Sequence, residues 1–380
     1  MAASATINHF IGNKDQTGDK AQLSMLRRLF NKCLLTPSDF KPSQTDLEVI
    51  GAFNPGAIAT KHGITLLVRI AEQAAEKIPG KHGLPRYDPE AKKVVIDWKE
   101  EQAHTPIDIR VVRKKQTGLV RLNFISYFRV LHSKDGREFT LADVVRFAPE
   151  LEYEEYGVED PRITRIGDTY YFTYVAVSRH GVATALASTK DFRTFDRHGI
   201  IFYPENKDVV LFPEKIDDKY WALHRPNGAT PFSKPEMWLA TSHDLNSWGG
   251  HQFFLGGSAK WDIGRIGAGT PPIAVEEGWL TMYHGNSRGA EDRNIGTYSG
   301  GILLLDRENP KKILGGSGNV FDPEMEYERA GFVPAVVFPT GLIPCGDNAL
   351  VYYGAADTCT AVVEFSLREM IAGLKRSYGK

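Results

Sequence analysis

The chain has 380 residues, with 46 lysines and arginines against 47 aspartates and glutamates, so its formal net charge is −1. This balance gives no electrostatic reason to expect nucleic acid or an anionic membrane as a partner. The three cysteines lack CxxC spacing, which argues against a disulfide framework or a zinc site and favours a reducing, cytoplasmic location. An aromatic content of 11%, with 36 glycines and 21 prolines, predicts a mainly β protein.

The two ends of the chain are predicted to be helical. Residues 1–48 are expected to form a polar arm and then a helix, because residues 21–30 repeat apolar side chains at helical spacing. Residues 366–380 are expected to contain a second, short helix. The segment between them, residues 49–365, is predicted to be one β domain.

Hairpins recur along this middle segment. Residues 53–59 and 64–70 are short apolar runs joined by a turn, and similar pairs occur within residues 162–174, 211–225, 270–284 and 334–354. A second pair of strands follows, as in residues 182–188 before 191–195 and residues 237–242 before 244–248. Four strands per unit, repeated about every 50 residues, are typical of propeller blades, so we predict an all-β, five-bladed β-propeller.

Residues 72–121 interrupt this rhythm with a long charged stretch. We interpret it as a flap inserted in the first blade. It could form a rim over the funnel at the centre of the propeller, where the inner strands of all blades end, or a contact in a homo-oligomer. A solvated charged surface explains the same composition equally well.

The stretch Gly157-Val158-Glu159-Asp160-Pro161-Arg162 places two acids and a cation at the start of a predicted hairpin. Neighbouring side chains on a strand face opposite ways, so Glu159 and Asp160 are not expected to act as an acid/base pair. One of them would face the funnel and the other would form a supporting pair, for which Arg162 is available. An acid at a strand start is more often structural, unless other sheets bring complementary groups to it.

Other blades offer such groups. Inner-strand ends of a propeller converge on one funnel, which would make Asn54, Asp160, Lys207, Arg225 and Asp357 neighbours. Lys207 and Arg225, together with Arg265, would place three cations in one funnel. Like charges are costly to bring together unless an anion is bound, such as phosphate or a carboxylated sugar. Each could instead pair with an acid or lie on a rim.

Two other site classes are disfavoured. The glycines of residues 264–269 match neither GxGxxG nor a Walker motif, and no βαβ pattern surrounds them, which argues against a nucleotide loop. His224 and His284 lack metal-ligand spacing, so no metal is expected.

Several motifs, in the same order along the chain, resemble glycoside hydrolase family 130, which contains β-mannoside phosphorylases and β-1,2-mannosidases and has a five-bladed propeller fold. The motifs are Phe53-Asn54-Pro55-Gly56-Ala57, Gly157-Val158-Glu159-Asp160-Pro161-Arg162-Ile163, Lys207-Asp208-Val209-Val210-Leu211-Phe212-Pro213-Glu214, Leu223-His224-Arg225-Pro226, Ile266-Gly267-Ala268-Gly269, Tyr283-His284-Gly285 and Tyr353-Gly354-Ala355-Ala356-Asp357.

The resemblance implies roles for individual residues. Asp160 would be the general acid, acting through the 3-hydroxyl of bound mannose, and Lys207, Arg225 and Arg265 would hold inorganic phosphate. Asn54 matches a phosphate-site position, although Pro55 replaces a serine of some members and removes one donor. The implied substrate-binding residues are Arg69, Asp357, Tyr283, Glu159 and Arg162.

One acid with several cations fits phosphorolysis, because phosphate is already an anionic nucleophile whereas an inverting hydrolase ordinarily needs a second carboxylate to activate water. We therefore predict inverting phosphorolysis of β-mannosides to α-mannose 1-phosphate, with phosphate as co-substrate and no cofactor. The alternatives are an inverting β-1,2-mannosidase, another five-bladed glycosidase using Glu214 and Glu324, and a non-catalytic binding propeller. The linkage, β-1,2 or β-1,4, and the acceptor sugar stay open.

Overall fold

The computed structural model describes residues 25–228, 232–257, 259–288 and 295–377. Within these ranges the strands form five antiparallel sheets of four or five strands, numbered here as sheets 1 to 5, and two smaller sheets. Strands are labelled β1 to β26 in chain order. The mainly β prediction is confirmed.

Sheet 1 has the order β10-β9-β3-β2 and begins with a long hairpin. Its strands are β2 (Leu47–Thr60), β3 (Gly63–Ala74), β9 (Ile125–Ser133) and β10 (Thr140–Phe147). The predicted turn at residues 61–63 is confirmed, since Thr60 pairs with Gly63 across it.

Between β3 and β9 the chain leaves sheet 1 and forms the two smaller sheets. One is a hairpin and the other has three strands. The strands are β4 (Lys81–Asp88), β5 (Lys93–Glu100), β6 (His104–Asp108), β7 (Val111–Lys114) and β8 (Val120–Leu122). Because β3 and β9 pair directly with each other, residues 75–124 are an insertion within sheet 1.

Sheets 2, 3 and 4 follow one another along the chain. Sheet 2 contains β11 (Val158–Ile166), β12 (Thr169–Ser178), β13 (Gly181–Thr189) and β14 (Asp196–Phe202). Sheet 3 contains β15 (Asn206–Leu211), β16 (Tyr220–Pro226), β17 (Met237–Ser242) and β18 (Trp248–Leu255). Sheet 4 contains β19 (Arg265–Ala268), β20 (Ile273–Val275), β21 (Gly278–Asn286), β22 (Tyr298–Leu305) and β23 (Ile313–Gly316).

Sheet 5 joins the two ends of the chain. It contains β24 (Val337–Cys345), β25 (Asn348–Ala355) and β26 (Cys359–Ser366), with β1 (Phe30–Leu35) as its outer strand. A short helix, α1 (Glu326–Arg329), precedes it, and α2 (Leu367–Ser377) follows it. The carboxy-terminal helix was therefore predicted correctly.

The amino-terminal helix was not. The first part of the predicted residues 21–30 lies outside the described residues, and from Met25 to Leu29 the chain is not helical before β1 begins at Phe30. Backbone amides of this segment bond elsewhere in the fold, Leu26 to Val320 and Leu29 to Glu364. Of the apolar side chains that suggested a helix, Leu26 and Phe30 pack against hydrophobic clusters, whereas Met25 and Leu29 are exposed.

Two predicted outer strands also begin later than expected. Residues 191–195 and 244–248 mostly form turns, because a carboxylate accepts two backbone bonds in each. Asp191 accepts from Arg193 and Thr194, and Asp244 accepts from Asn246 and Ser247. Side-chain bonds of this kind compete with strand pairing.

Each main hydrophobic cluster lies between two sheets. Sheets 1 and 2 share a cluster, and so do sheets 2 and 3, sheets 3 and 4, sheets 4 and 5, and sheets 5 and 1. Representative buried pairs are Phe128 with Phe172, Leu186 with Leu211, Leu223 with Trp279, Ile302 with Val351, and Tyr352 with Ile70. The first strands also meet, since β2 contacts β11 and β24, and β15 contacts β11 and β19.

No helix in the described ranges has both the length and the apolar character needed to cross a membrane.

Candidate active site

Three first strands carry the same irregularity at the same place. In β2, β11 and β15 the pairing register shifts next to Asn54, Asp160 and Asp208. All three residues have left-handed backbone, with φ of 47°, 50° and 54°. Asn and Asp tolerate this conformation better than most residues, and bulges of this kind redirect side chains beside functional sites.

The bulge in β11 overturns the expectation that Glu159 and Asp160 face opposite ways. Arg69 contacts both, donating from Nη1 to Asp160 Oδ1 at 2.8 Å and from Nη2 to Glu159 Oε1 at 2.7 Å. Its Nε donates to Ser126 at 3.1 Å, and its guanidinium lies over the ring of Phe53. Glu159 is thus part of the same buried group as Asp160.

Asn54 completes the set of donors to Asp160. Its Nδ2 donates to Asp160 Oδ1 at 2.8 Å, while its Oδ1 is buried without a hydrogen-bond partner in the described structure. That oxygen packs against the backbone of Gly354, where a Cβ atom would stand only 1.7 Å from it. Glycine is therefore required at position 354, and Asn54 serves the predicted acid directly.

Opposing effects act on the pKa of Asp160. Burial raises the pKa of this carboxyl, but the charges of Arg69 and Arg162, the Asn54 hydrogen bond and the charge of Lys207 outweigh burial and lower it. In the free protein Asp160 is consequently a carboxylate at neutral pH.

Arg162 lies between Asp160 and sheet 4. It is 1% exposed, and it donates from Nε to the Gly269 carbonyl at 2.6 Å and from Nη1 to the Asp160 carbonyl at 2.9 Å. Its Nη2 lies 3.9 Å from Asp208 Oδ1 and has no hydrogen-bond partner among the described residues. Burial lowers the pKa of Arg162, which reflects the cost of holding this cation away from water.

Asp208 organises the second half of the site. Its Oδ2 accepts a 2.7 Å hydrogen bond from Arg225 Nε and lies 3.3 Å from His284 Nε2. Burial raises the pKa of this carboxyl, but Arg225, His284 and Arg162 bring it far below its usual range. Gly267 allows this approach, because a Cβ there would lie 2.4 Å from Asp208 Oδ2.

The predicted phosphate residues are brought together only in part. Lys207 Nζ lies 3.6 Å from Glu159 Oε2, and Arg225 joins the cluster through Asp208. Arg265 begins β19, two residues before Gly267, and its buried Nε has no hydrogen-bond partner within the described ranges. Among the described residues, we find no contact that links Arg265 to Lys207 or Arg225.

Asp357 lies in the turn between β25 and β26 of sheet 5, with φ of 47°, and is close enough to Arg69, Asp160 and Glu159 to feel their charges. Burial raises its pKa to about 6, against the opposing charges of Arg110 and Arg69, and the charges of Asp160 and Glu159 add to the rise. Arg110, from the insertion, places Nη1 4.0 Å from Asp357 Oδ2.

The contacts of Tyr283 given below lie in the hydrophobic core and do not include Asp160. It is 5% exposed, its hydroxyl donates to the Ser317 carbonyl at 2.7 Å, and its ring packs against Trp261 in the core between sheets 3 and 4. The prediction that it lines the sugar site gains no support from these contacts. Its neighbour His284, whose spacing disfavours a metal ligand, faces Asp208.

Asp208 and Arg110 also lie in the site, although neither was predicted there from the sequence. Asp208 could have been found from its equivalence to Asn54 and Asp160, since each stands immediately before Pro or Val in a first strand. No sequence signal marks Arg110, because the insertion does not repeat. In the described residues no group of three or more His, Cys, Asp or Glu side chains is arranged to hold a metal.

A family model described as beta-1,4-mannooligosaccharide phosphorylase, that of glycoside hydrolase family 130, matches residues 114–376. The chain belongs to glycoside hydrolase family 130. A beta-1,2-mannobiose phosphorylase of Listeria innocua is 40% identical over 348 residues, covering 90% of this chain and 96% of that enzyme. A beta-1,4-mannooligosaccharide phosphorylase of Ruminococcus albus is 34% identical over 60% of this chain and 67% of its own length.

Solved structures of family 130 resemble this fold as well. The Listeria innocua beta-1,2-mannobiose phosphorylase, in complex with beta-1,2-mannobiose, superposes with a TM-score of 0.84 at 40% identity, covering 90% of this chain and 97% of that one. A family 130 structure from work on hydrolases that target beta-1,2 mannosidic linkages in Candida mannan has a TM-score of 0.66 at 20% identity, covering 94% and 97%. At that identity the likeness concerns the fold alone.

Proposed function

We propose that this protein is an inverting β-mannoside phosphorylase, with the five sheets as the blades of a β-propeller and residues 75–124 as a flap at its rim. The cyclic order of the inter-sheet clusters supports this architecture. The reaction would transfer a mannosyl unit to inorganic phosphate and give α-mannose 1-phosphate and a shortened acceptor. No cofactor is needed.

The observation that carries the reaction type is the presence of buried cationic donors without acceptors. Arg162 Nη2 and Arg265 Nε both lack a hydrogen-bond partner among the described residues. A buried donor left unpaired is costly, and a guanidinium pairs best with an anion such as phosphate. Lys207 and Arg225 would complete the phosphate site.

Asp160 is proposed as the only acid that acts on the glycosidic oxygen. Arg69 and Asn54 fix its carboxylate, and the proton would reach the leaving oxygen through the 3-hydroxyl of the bound mannosyl unit. Glu159 would hold Arg69 and Lys207 in place, because it contacts both. The phosphate then needs only to be held in line with the breaking bond.

The rival acids do not lie in this group. The side chains of Glu214 and Glu324 are 54% and 47% exposed and pair with Arg307 and Arg28. This disfavours a glycosidase that uses them as second and third acids.

β-1,2-Linked mannobiose is the substrate we favour. The Listeria innocua enzyme with that specificity matches 90% of this chain, whereas the β-1,4 enzyme of Ruminococcus albus matches 60%. The test is cleavage of β-1,2- and β-1,4-mannobiose with and without phosphate. We expect cleavage of the β-1,2 sugar only when phosphate is present, and equal rates in its absence would indicate a hydrolase.

A further inference from the structure

The insertion in sheet 1 brings a charged side chain to the site. Arg110 lies in the turn between β6 and β7, and its Nη1 faces Asp357 Oδ2 at 4.0 Å. This separation is beyond hydrogen-bond length. Arg110 is therefore near enough to share a ligand with Asp357, but the two do not satisfy each other.

The orientation of Arg110 is fixed from within the insertion. Asp108 accepts hydrogen bonds from the Arg110 backbone amide at 2.8 Å and from Nη2 at 2.9 Å. The Arg110 carbonyl accepts from the Asn123 amide at 3.0 Å, and Asn123 Nδ2 donates to the Ile109 carbonyl at 2.6 Å. These bonds hold the loop and leave Nη1 directed at Asp357.

On the opposite side of the gap, the backbone beside Asp357 is held by hydrogen bonds. It directly follows Ala356, and both residues have left-handed backbone. The Ala356 amide donates to the Val336 carbonyl, and the Ala356 carbonyl accepts from Val333. The gap is thus bounded by the hydrogen-bonded side chain of Arg110 and by Asp357, which extends from a fixed backbone; Arg110 is 29% and Asp357 18% exposed.

We propose that Arg110 is a specificity-determining residue that binds, together with Asp357, one hydroxyl of the terminal mannosyl unit. A sugar hydroxyl can donate to a carboxylate and accept from a guanidinium at the same time, which is the arrangement that a gap of this size admits. The inference rests on the proposed function, since it assumes a mannoside in this site. It assigns the insertion a part in selecting the sugar.

The first test compares kcat/KM for phosphorolysis of β-1,2-mannobiose in the wild type, Arg110→Ala and Arg110→Lys. Losing a hydrogen bond between a charged group and a substrate hydroxyl lowers kcat/KM by about 10- to 100-fold, and lysine, which lacks the planar fork, restores only part of it. The matched control is Arg113→Ala, an exposed position on β7 of the same small sheet. We expect it to behave as wild type.

Monodeoxy mannobioses, modified at each hydroxyl of the terminal unit in turn, identify the contact. For the analogue that lacks the bound hydroxyl, kcat/KM of Arg110→Ala should be within twofold of the wild-type value, because the contact is already absent. An equal loss for every analogue, or an Arg110→Ala enzyme within twofold of wild type on mannobiose, would overturn the proposal.

A binding measurement separates this contact from a merely structural role. Asp357 accepts from the hydroxyl more strongly when it is ionised, and the charged groups that act on it are Arg110, Arg69, Asp160 and Glu159. Without the positive charge of Arg110 its pKa rises, so in Arg110→Ala the onset of mannobiose binding should move to higher pH. Calorimetry from pH 5 to pH 8 without phosphate measures this, and an unchanged onset contradicts the proposal.

The two proposals fail in different ways. If wild type releases mannose without phosphate, the proposed phosphorolysis is wrong, but the Arg110 comparison still applies to that cleavage. If cleavage requires phosphate and Arg110→Ala matches wild type on every analogue, only the role of Arg110 is wrong.

Discussion

Arg69 donates a 2.8 Å hydrogen bond from Nη1 to Oδ1 of Asp160, the residue proposed as the general acid. This contact and the other cations nearby keep the carboxyl ionised, although burial alone would raise its pKa. A general acid must carry a proton when the bond breaks. We therefore expect Asp160 to take up a proton when another negative charge binds nearby and raises its pKa.

Bound phosphate can supply that charge, which gives the first prediction. An anion beside Lys207 and Arg225 offsets their positive charges, so the pKa of Asp160 should rise when the anion binds. Sulfate is a suitable probe, because it carries two charges and does not titrate near neutrality. Carbon-13 spectra of labelled aspartate carboxyls, assigned with Asp160→Asn, should show the titration at higher pH with sulfate. A midpoint that stays or falls would refute the coupling.

Asp160→Asn tests the acid itself. We expect kcat/KM for mannobiose to fall by about 10²- to 10⁴-fold, the usual contribution of general acid catalysis, with an unchanged circular dichroism spectrum. Asp168→Asn is the matched control, because Asp168 is fully exposed in the turn of the same β11–β12 hairpin. An Asp160→Asn enzyme with more than a tenth of the wild-type rate would exclude Asp160 as the acid.

Lys207→Ala tests the phosphate site without leaving a tightly paired buried acid behind. Lys207 is 33% exposed and its contact with Glu159 is 3.6 Å long, whereas removing Arg225 would strand the buried Asp208. We expect KM for phosphate to rise about tenfold or more, since a charged hydrogen bond contributes about 1.5 to 3 kcal/mol. KM for mannobiose should change little.

The control for that variant is Lys215→Ala, a lysine on the surface paired with Asp218. It should leave both KM values as in wild type. If Lys207→Ala weakened mannobiose and spared phosphate, Lys207 would belong to the sugar site instead.

Sequence and structure agree where the pattern is local and repeated. The hairpin β2–β3 and the turn at residues 61–63 follow from apolar runs separated by turn residues, and so does β11–β12. Alternation failed at Glu159 and Asp160 because a bulge with a left-handed Asp160 breaks the two-residue period. Periodicity alone cannot locate such a bulge.

Long-range contacts were the other gap. The helix predicted at residues 21–30 rested on local apolar spacing, which carries no information on the pairing of β1, from Phe30 onward, with β26 more than 300 residues away. Arg110 was missed for the same reason, since its partner Asp357 is distant in sequence and the insertion has no repeat to compare. Tyr283 was chosen from a motif in which its neighbour His284 is the residue that faces Asp208.

The attachment of β1 to sheet 5 as its outer strand can be tested by the free energy of unfolding. Arg28, just before β1, donates to Glu328 Oε1 at 2.6 Å, and Glu328 is fully buried, also accepting from Tyr353. Arg28→Ala leaves a buried carboxylate without its cation, so the free energy of unfolding should fall by about 3 to 5 kcal/mol. Urea denaturation followed by tryptophan fluorescence measures the change.

Arg27→Ala is the matched control, because Arg27 directly precedes Arg28 and its side chain is exposed. It should change the free energy of unfolding by less than about 0.5 kcal/mol. Equal stabilities of Arg28→Ala and Arg27→Ala would show that the pair does not hold β1 in the fold.

The most direct test of phosphorolysis is the identity of the first product. Proton and phosphorus NMR can follow β-1,2-mannobiose with wild-type enzyme and phosphate from the earliest time points. Attack by phosphate on the face opposite the leaving group predicts α-mannose 1-phosphate and one equivalent of mannose from the acceptor side. Two equivalents of mannose with no sugar phosphate, or a β-configured phosphate, would contradict it.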